Sequence, residues 1–184
     1  AVESANTLLF LSERFPEDIR FPLGEVSARL VLAEILRDRG EFDLAAGVIE
    51  EASVRLSDEK IPPESLQSRE RFGELLLMFG QVQSAIGDTP LAMDSFQQSA
   101  DAFLELAASE VGLPRQRDNA AWAMYYLGHE LARSNDDEGS AAAIQSAIEI
   151  RSDLPERAAW LDSFACLLLT APIERLQDAP KAES

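Results

Sequence analysis

Residues that carry chemistry are scarce in this chain of 184 residues. Cys166 is its one cysteine, so no intrachain disulfide can form, and nothing suggests a disulfide-built secreted scaffold. His129 is its one histidine. A di-iron helical bundle needs two Glu-x-x-His pairs, and a zinc site draws on several His or Cys ligands, so neither metal centre is expected. No nucleophile-elbow sequence accompanies His129, and the nine glycines are scattered rather than gathered into a phosphate-cradling loop. Cys166 sits in an apolar helical stretch, Phe164 to Leu169, and reads as a buried, inert thiol. Carboxylates are so common that no single pair of them is informative. The expectation is a chain with no catalytic residue, no cofactor and no metal ion.

Positive charge is also short. Fourteen arginines and two lysines, Lys60 and Lys181, face 33 acidic residues, for a net charge of −17. No basic residue lies between Arg71 and Arg115, a window holding Glu74, Asp88, Asp94, Asp101, Glu105 and Glu110. Phosphate backbones and anionic membrane surfaces require cationic partners, so neither nucleic acid nor a membrane surface is an expected ligand. The surplus acid keeps the chain soluble and can attract a basic partner. Long apolar runs are missing too. Leu8–Leu11, Leu75–Phe79 and Ala165–Leu169 fall far short of the roughly 18 residues that a membrane span needs. No basic region followed by an apolar stretch opens the chain, so no signal peptide is expected and a cytoplasmic location is. The first residue is Ala1, which suggests a processed chain or a piece of a longer one. Sustained period-two alternation, the mark of strands, is absent.

What is present is helical periodicity and an internal repeat. Leu32-Ala33, Gly40, Ala45, Ile49 and Ala52 form one pattern. Phe79-Gly80, Gly87, Ala92, Phe96 and Ser99 form a second, and Leu127-Gly128, Asn135, Ser140, Ile144 and Ala147 a third, with identical spacing. A repeat of this length signals stacked helical units. Small residues at Ala33, Gly80 and Gly128 let a second helix approach, and Ala45, Ala92 and Ser140 give the same permission from that helix. Ile49, Phe96 and Ile144 fill the space beside them, and Ala52, Ser99 and Ala147 leave room for the next unit. Gly40 and Gly87 are turn residues, and Asn135 is expected to take the left-handed conformation that glycine takes in the other two. Thr89 is expected to cap the helix that follows with Pro90 in its first turn, Pro62-Pro63 to open another, and Asp153 to Glu156 to form a capping box.

The periodicity predicts helices over 3–14, 23–39, 42–57, 64–86, 89–109, 115–134, 138–151 and 156–171, with a fragment near 178–183. They pair into hairpins at about 23–57, 64–109 and 115–151 and a partial one over 156–184, preceded by the helix at 3–14. No linker divides the chain, so residues 1–184 are expected to form one all-α domain.

This constellation resembles the tetratricopeptide repeat family, over about residues 26 to 171. The third unit departs from the family pattern at Asn135 and Ser140, and the units start 47 and 48 residues apart (33, 80 and 128) against the family's usual period of about 34. The resemblance implies a right-handed α-solenoid of stacked antiparallel hairpins whose concave groove binds a protein or peptide. It also implies that Trp122, Tyr125, His129 and Arg133, together with Leu77 and Gln81, lie on the groove face. Aromatic residues with arginine are the types that anchor partners. Inter-hairpin packing, with His129 hydrogen-bonded to a neighbour, is the alternative reading of the same stripe. Equivalent positions are Glu74, Leu77, Gln81, Ser84 and Ala85 in the second unit and Ser27, Leu30, Glu34, Arg37 and Asp38 in the first. Members of the family that clamp chaperone carboxylates use Lys, Arg and Asn where this chain has Leu30, Glu34, Met78, Trp122 and Tyr126, so that ligand is not implied.

The stretch from Trp160 to Ala182 is similar to the last repeat of arrays that trail some bacterial serine/threonine protein kinases. That similarity implies an alternative role as a regulatory or self-associating tail of a larger enzyme. A hydrolase using carboxylates in the groove is a third, weaker reading. Trp160, Leu161, Phe164, Cys166 and Leu168 are expected to expose apolar surface at the end of the array and to favour self-association.

Overall fold

The computed structural model describes residues 18–58, 61–109 and 114–152, together with positions 7, 10, 11, 14 and 15. Among these residues the structure is all-α, with no strand. Six helices follow one another: α1 (Arg20–Asp38), α2 (Phe42–Leu56), α3 (Leu66–Ile86), α4 (Thr89–Ala107), α5 (Pro114–Arg133) and α6 (Asp137–Ser152). Their ends fall within three residues of the bounds the periodicity predicts. The expected helices at 156–171 and 178–183, the capping box at Asp153–Glu156, and most of the helix at 3–14 lie outside the described residues.

Three turns fold the chain back on itself. Gly40 and Gly87 have φ of 78° and 89°, and Asn135 has φ of 63°, the one non-glycine residue with positive φ among those described. The backbone must turn left-handed to leave a helix and re-enter the next within a few residues, and Gly or Asn does so at least cost. Two helix starts differ from expectation. Asp88, not Thr89, caps α4: its carboxylate accepts from the backbone N–H of Leu91 at 3.2 Å, leaving Thr89 and Pro90 in the first turn. Helix α3 begins after Ser65, whose hydroxyl accepts from the N–H of Ser68 at 3.1 Å, so Pro62-Pro63 belong to the preceding turn. In both places a short polar side chain that can satisfy a free N–H fixes the boundary.

The register within each pair is antiparallel. An ideal Cβ on Gly80 would lie 2.6 Å from Phe96, and one on Gly73 would lie 2.9 Å from Phe103. Stepping back seven residues on α3 thus steps forward seven on α4. In the first pair Glu25 meets Arg55 and Arg29 meets Glu51; in the third Gly128 meets Ile144 and Asp118 meets Arg151. The expected role of Ser99 is altered: its hydroxyl donates to the carbonyl of Gly73 at 2.9 Å inside its own hairpin, so it stitches α4 to α3.

Hairpins pack in sequence. Helix α3 rests on both α1 and α2, α5 rests on α4, and α3 also touches α5. Ala33, Ala45, Ile49 and Ala52 of the first hairpin share one apolar cluster with Leu75 and Val82 of α3. Ala92 and Phe96 share another with Leu127 and Ala143. No hairpin closes its own core, and the apolar faces are buried by neighbours. Among the described residues no helix is long and apolar enough to cross a membrane.

Candidate functional site

Because α3 lies against both α1 and α5, the three helices present matching faces side by side. A groove of about 440 Å³ runs across them. Leu30 and Leu77 occupy the same repeat position in its floor, and Val31, Met78 and Tyr126 occupy another. Ser27 and Glu74 match likewise, as do Glu34 and Gln81; Arg37, Arg71 and Asn119 complete the walls. The surface is therefore a strip of aliphatic and aromatic side chains edged by polar ones, the composition that suits a bound peptide better than a small charged metabolite.

The groove's cations are already engaged. Arg71 pairs with Glu74 one helical turn away. Arg37 donates to the amide oxygen of Gln81, lies 3.8 Å from the sulfur of Met78, and pairs with Asp38 at 2.8 Å. A larger recess of about 820 Å³ opens on the outer side of the first hairpin. There the buried Glu25 pairs with Arg29 and with Arg55 (2.9 Å), Arg29 reaches Glu51 at 3.3 Å and Arg55 reaches Asp58 at 2.5 Å. Its two arginines are taken up by these carboxylates and hold α1 to α2, so volume alone does not make it the better site.

Of the residues that the sequence singled out, Leu77 and Gln81 line the groove. Trp122, Tyr125, His129 and Arg133 are placed along α5 as follows. The Arg151 guanidinium covers the Trp122 ring at 4.7 Å to the centroid, and Trp122 meets Tyr125 edge-on at 5.7 Å. Tyr125 is buried. The His129 ring packs against Tyr125 at 4.5 Å, with its Nε2 buried and making no hydrogen bond. Burial pushes the His129 pKa below the usual imidazole range, with the neighbouring charge of Glu130 opposing the shift. Arg133 is exposed and donates to Glu130 at 2.9 Å and to the carbonyl and hydroxyl of Ser84 at 3.2 Å. Ser84 in turn donates to Glu130 at 2.6 Å. These side chains thus brace α5 against α3 and α6. The aromatic that α5 gives to the groove is Tyr126, stacked on Phe96 at 5.4 Å.

Val31, Arg71 and Asn119 in the groove were not selected by the sequence reading. The repeat itself carried the signal for them: Val31, Met78 and Tyr126 each stand two residues before the first small residue of their units, and Arg71 and Asn119 each stand nine before. Among the described residues no group of three or more His, Cys, Asp or Glu side chains could hold a metal ion. The described chain is an all-α protein of helical pairs packed in order, with one groove crossing the first helix of each pair. No known family model matches the sequence, and no curated protein matches it.

Proposed function

We propose that this chain is a tetratricopeptide-like solenoid that binds a segment of a partner protein along the groove crossing α1, α3 and α5. The observation that carries the reading is the repetition of lining positions. Leu30 with Leu77, and Val31 with Met78 and Tyr126, make a continuous apolar track where three helices meet. A track of evenly repeated apolar positions suits an extended chain or a helix better than a compact ligand. Leu77, Met78 and Tyr126 are its anchors, Gln81 and Asn119 its hydrogen-bonding groups, and Tyr125 and His129 support the Tyr126 helix from behind. Pairing of Arg71 and Arg37 within the groove leaves no free cationic clamp for an acidic tail, so the preferred partner is apolar with neutral or basic flanks.

The test is selection of peptides from a random displayed library against the full chain. Selected peptides should bind the wild-type chain, and Leu77→Asp and Tyr126→Ala should each weaken them about tenfold or more, a loss on the order of 1.4 kcal/mol. Leu104→Asp, on the outer surface of α4, should leave binding unchanged. Peptides that bind all three variants as tightly as wild type would remove the groove from consideration.

A further inference from the structure

The three hairpins are equivalent in sequence but not in exposure. On α3 the stripe Leu75, Met78, Phe79 and Val82 faces the preceding hairpin. Leu75 is 6% exposed and Val82 fully buried, and Met78 and Phe79 pack against the same cluster. On α5 the matching stripe is Ala123, Tyr126, Leu127 and Glu130, of which Ala123 is fully buried, Leu127 is 8% exposed and Glu130 is 3% exposed. On α1 the stripe is Ala28, Val31, Leu32 and Ile35. Here Val31 is 50% exposed and Ile35 39%. Other aliphatic residues, such as Leu44, Val54 and Ile86, are exposed as well. The α1 stripe differs because the chain itself shows twice what covers it: a helix of the preceding pair.

The covering interaction has polar detail. Between the first two hairpins, the guanidinium of Arg37 lies across Met78 and donates to Gln81. The residues of α1 that match Met78 and Gln81 are Val31 and Glu34. Glu34 is therefore an anionic acceptor where the internal interface has a neutral one; its side chain is 54% exposed and lies 4.0 Å from Arg37 of its own helix. Asp38, 63% exposed, pairs with the same guanidinium at 2.8 Å, so two carboxylates share one cation and the edge keeps a net negative charge. A second copy of the chain would bring another acidic edge against this one at a net charge of −17 each.

We propose that the open stripe of α1 is a docking face for an amphipathic α-helix of a partner protein, which lays a basic side chain across Val31 onto Glu34. The helix supplies the contacts that α1 supplies to α3, with a cation in the place of Arg37. This surface shares Val31 and Glu34 with the edge of the groove but not the anchors Leu77 and Tyr126, so Leu77→Asp, which should weaken the groove peptides and leave helix docking unchanged, separates the two readings.

The probe is a hydrocarbon-stapled, fluorescently labelled peptide with the sequence of residues 20–38, which carries Arg37, titrated with the full chain and read by anisotropy. Saturable binding is expected, weakened about tenfold by Val31→Arg in the chain. Because Val31 is half exposed, that variant should melt with the wild type, so the loss reads docking and not folding. Glu34→Arg in the chain and Arg37→Glu in the peptide should each weaken binding several-fold, and combining them should restore it. No saturable binding, or binding indifferent to Val31→Arg, overturns the proposal. So does a wild-type chain that is dimeric by light scattering and monomeric as Val31→Arg, since the face then belongs to a second copy.

Discussion

The second hairpin and the first solve the same packing problem by different means. Between α3 and α4 the contact is aromatic ring into glycine: Phe96 sits where a Cβ of Gly80 would be and Phe103 where a Cβ of Gly73 would be. Both rings are essentially inaccessible to water. Between α1 and α2 the small residues Ala33, Ala45 and Ala52 meet beside Ile49, and the far end is held by Glu25 between two arginines. The middle hairpin is flanked on both sides and has room for bulk. The first has an open side, and with less apolar area to bury it relies more on a desolvated ion network. The lesson is that one sequence repeat fixes where helices touch, while position along the array decides which force does the holding.

The strongest way to break this contrast is Phe96→Ala. The ring is fully buried, joins α4 to Gly80 and stacks on Tyr126, so its loss opens a cavity shared by two hairpins. A destabilisation of about 4 kcal/mol is expected, measured by urea unfolding monitored by circular dichroism. A cost under about 1 kcal/mol would show that the middle hairpin is not built on this ring. Next in size is Glu25→Gln. The carboxylate is 1% exposed, and removing its charge leaves the half-buried guanidinium groups of Arg29 and Arg55 facing each other. Breaking a buried pair costs about 3–5 kcal/mol, and the partial hydration of both arginines lowers the expectation here to roughly 2–3 kcal/mol.

A pH titration sharpens the comparison at the third hairpin, where two partly buried groups are shifted with opposite consequences. His129 has a folded-state pKa depressed by burial. Below the usual imidazole pKa the unfolded chain binds the proton more readily, so the stability that neutral His129 contributes above that value is lost as pH falls through the folded pKa. Asp118 has its pKa raised by burial, partly offset by Arg151. The folded state therefore holds that proton more tightly, and stability falls as pH rises through the raised pKa and is recovered on acidification. His129→Gln should flatten the first slope and Asp118→Asn the second, in melting temperatures followed from neutral to acid pH. An unchanged profile in His129→Gln would mean that the imidazole is not desolvated.

Much of the fold was legible because steric constraints leave plain traces in the sequence. Gly40, Gly87 and Asn135 mark left-handed turns, and Gly80 and Gly128 mark close approach, since any other residue there would collide with Phe96 or Ile144. Legibility faded where several polar partners were chemically equivalent. Nothing in the spacing selects Gln81 for Arg37, Glu130 for Ser84 or Glu70 for Arg115, each more than 40 residues apart. Those pairings depend on how one hairpin rolls against the next. The same roll decides which neighbouring tyrosine turns to the groove. Tyr125 and Tyr126 are adjacent on α5, about 100° apart around the helix, so they face different neighbours and the roll of α5 sets which one meets the groove. Helical spacing finds the aromatic stripe and sets Tyr125 against His129 one turn on, but only the packing of α5 on α4 puts Tyr126 against Phe96.

The smallest expected effect tests the open end directly, by making the same chemical change at two points on equivalent stripes. Val82→Ala removes two methyl groups from a side chain that the first hairpin covers completely, and should cost about 2 kcal/mol. Val31→Ala removes the same groups from a half-exposed side chain, much of whose surface is already hydrated. A cost of about 0.5 kcal/mol or less is expected in the isolated chain. The difference arises because the hydrophobic contribution follows the area withdrawn from water, not the residue type or its place in a repeat. If the two substitutions cost the same, the α1 stripe is covered in solution, and the contrast between a sealed middle and an open first hairpin fails. If they differ as expected, the gap should narrow once a helix docks on α1, since Val31 would then acquire the burial that Val82 has within the chain.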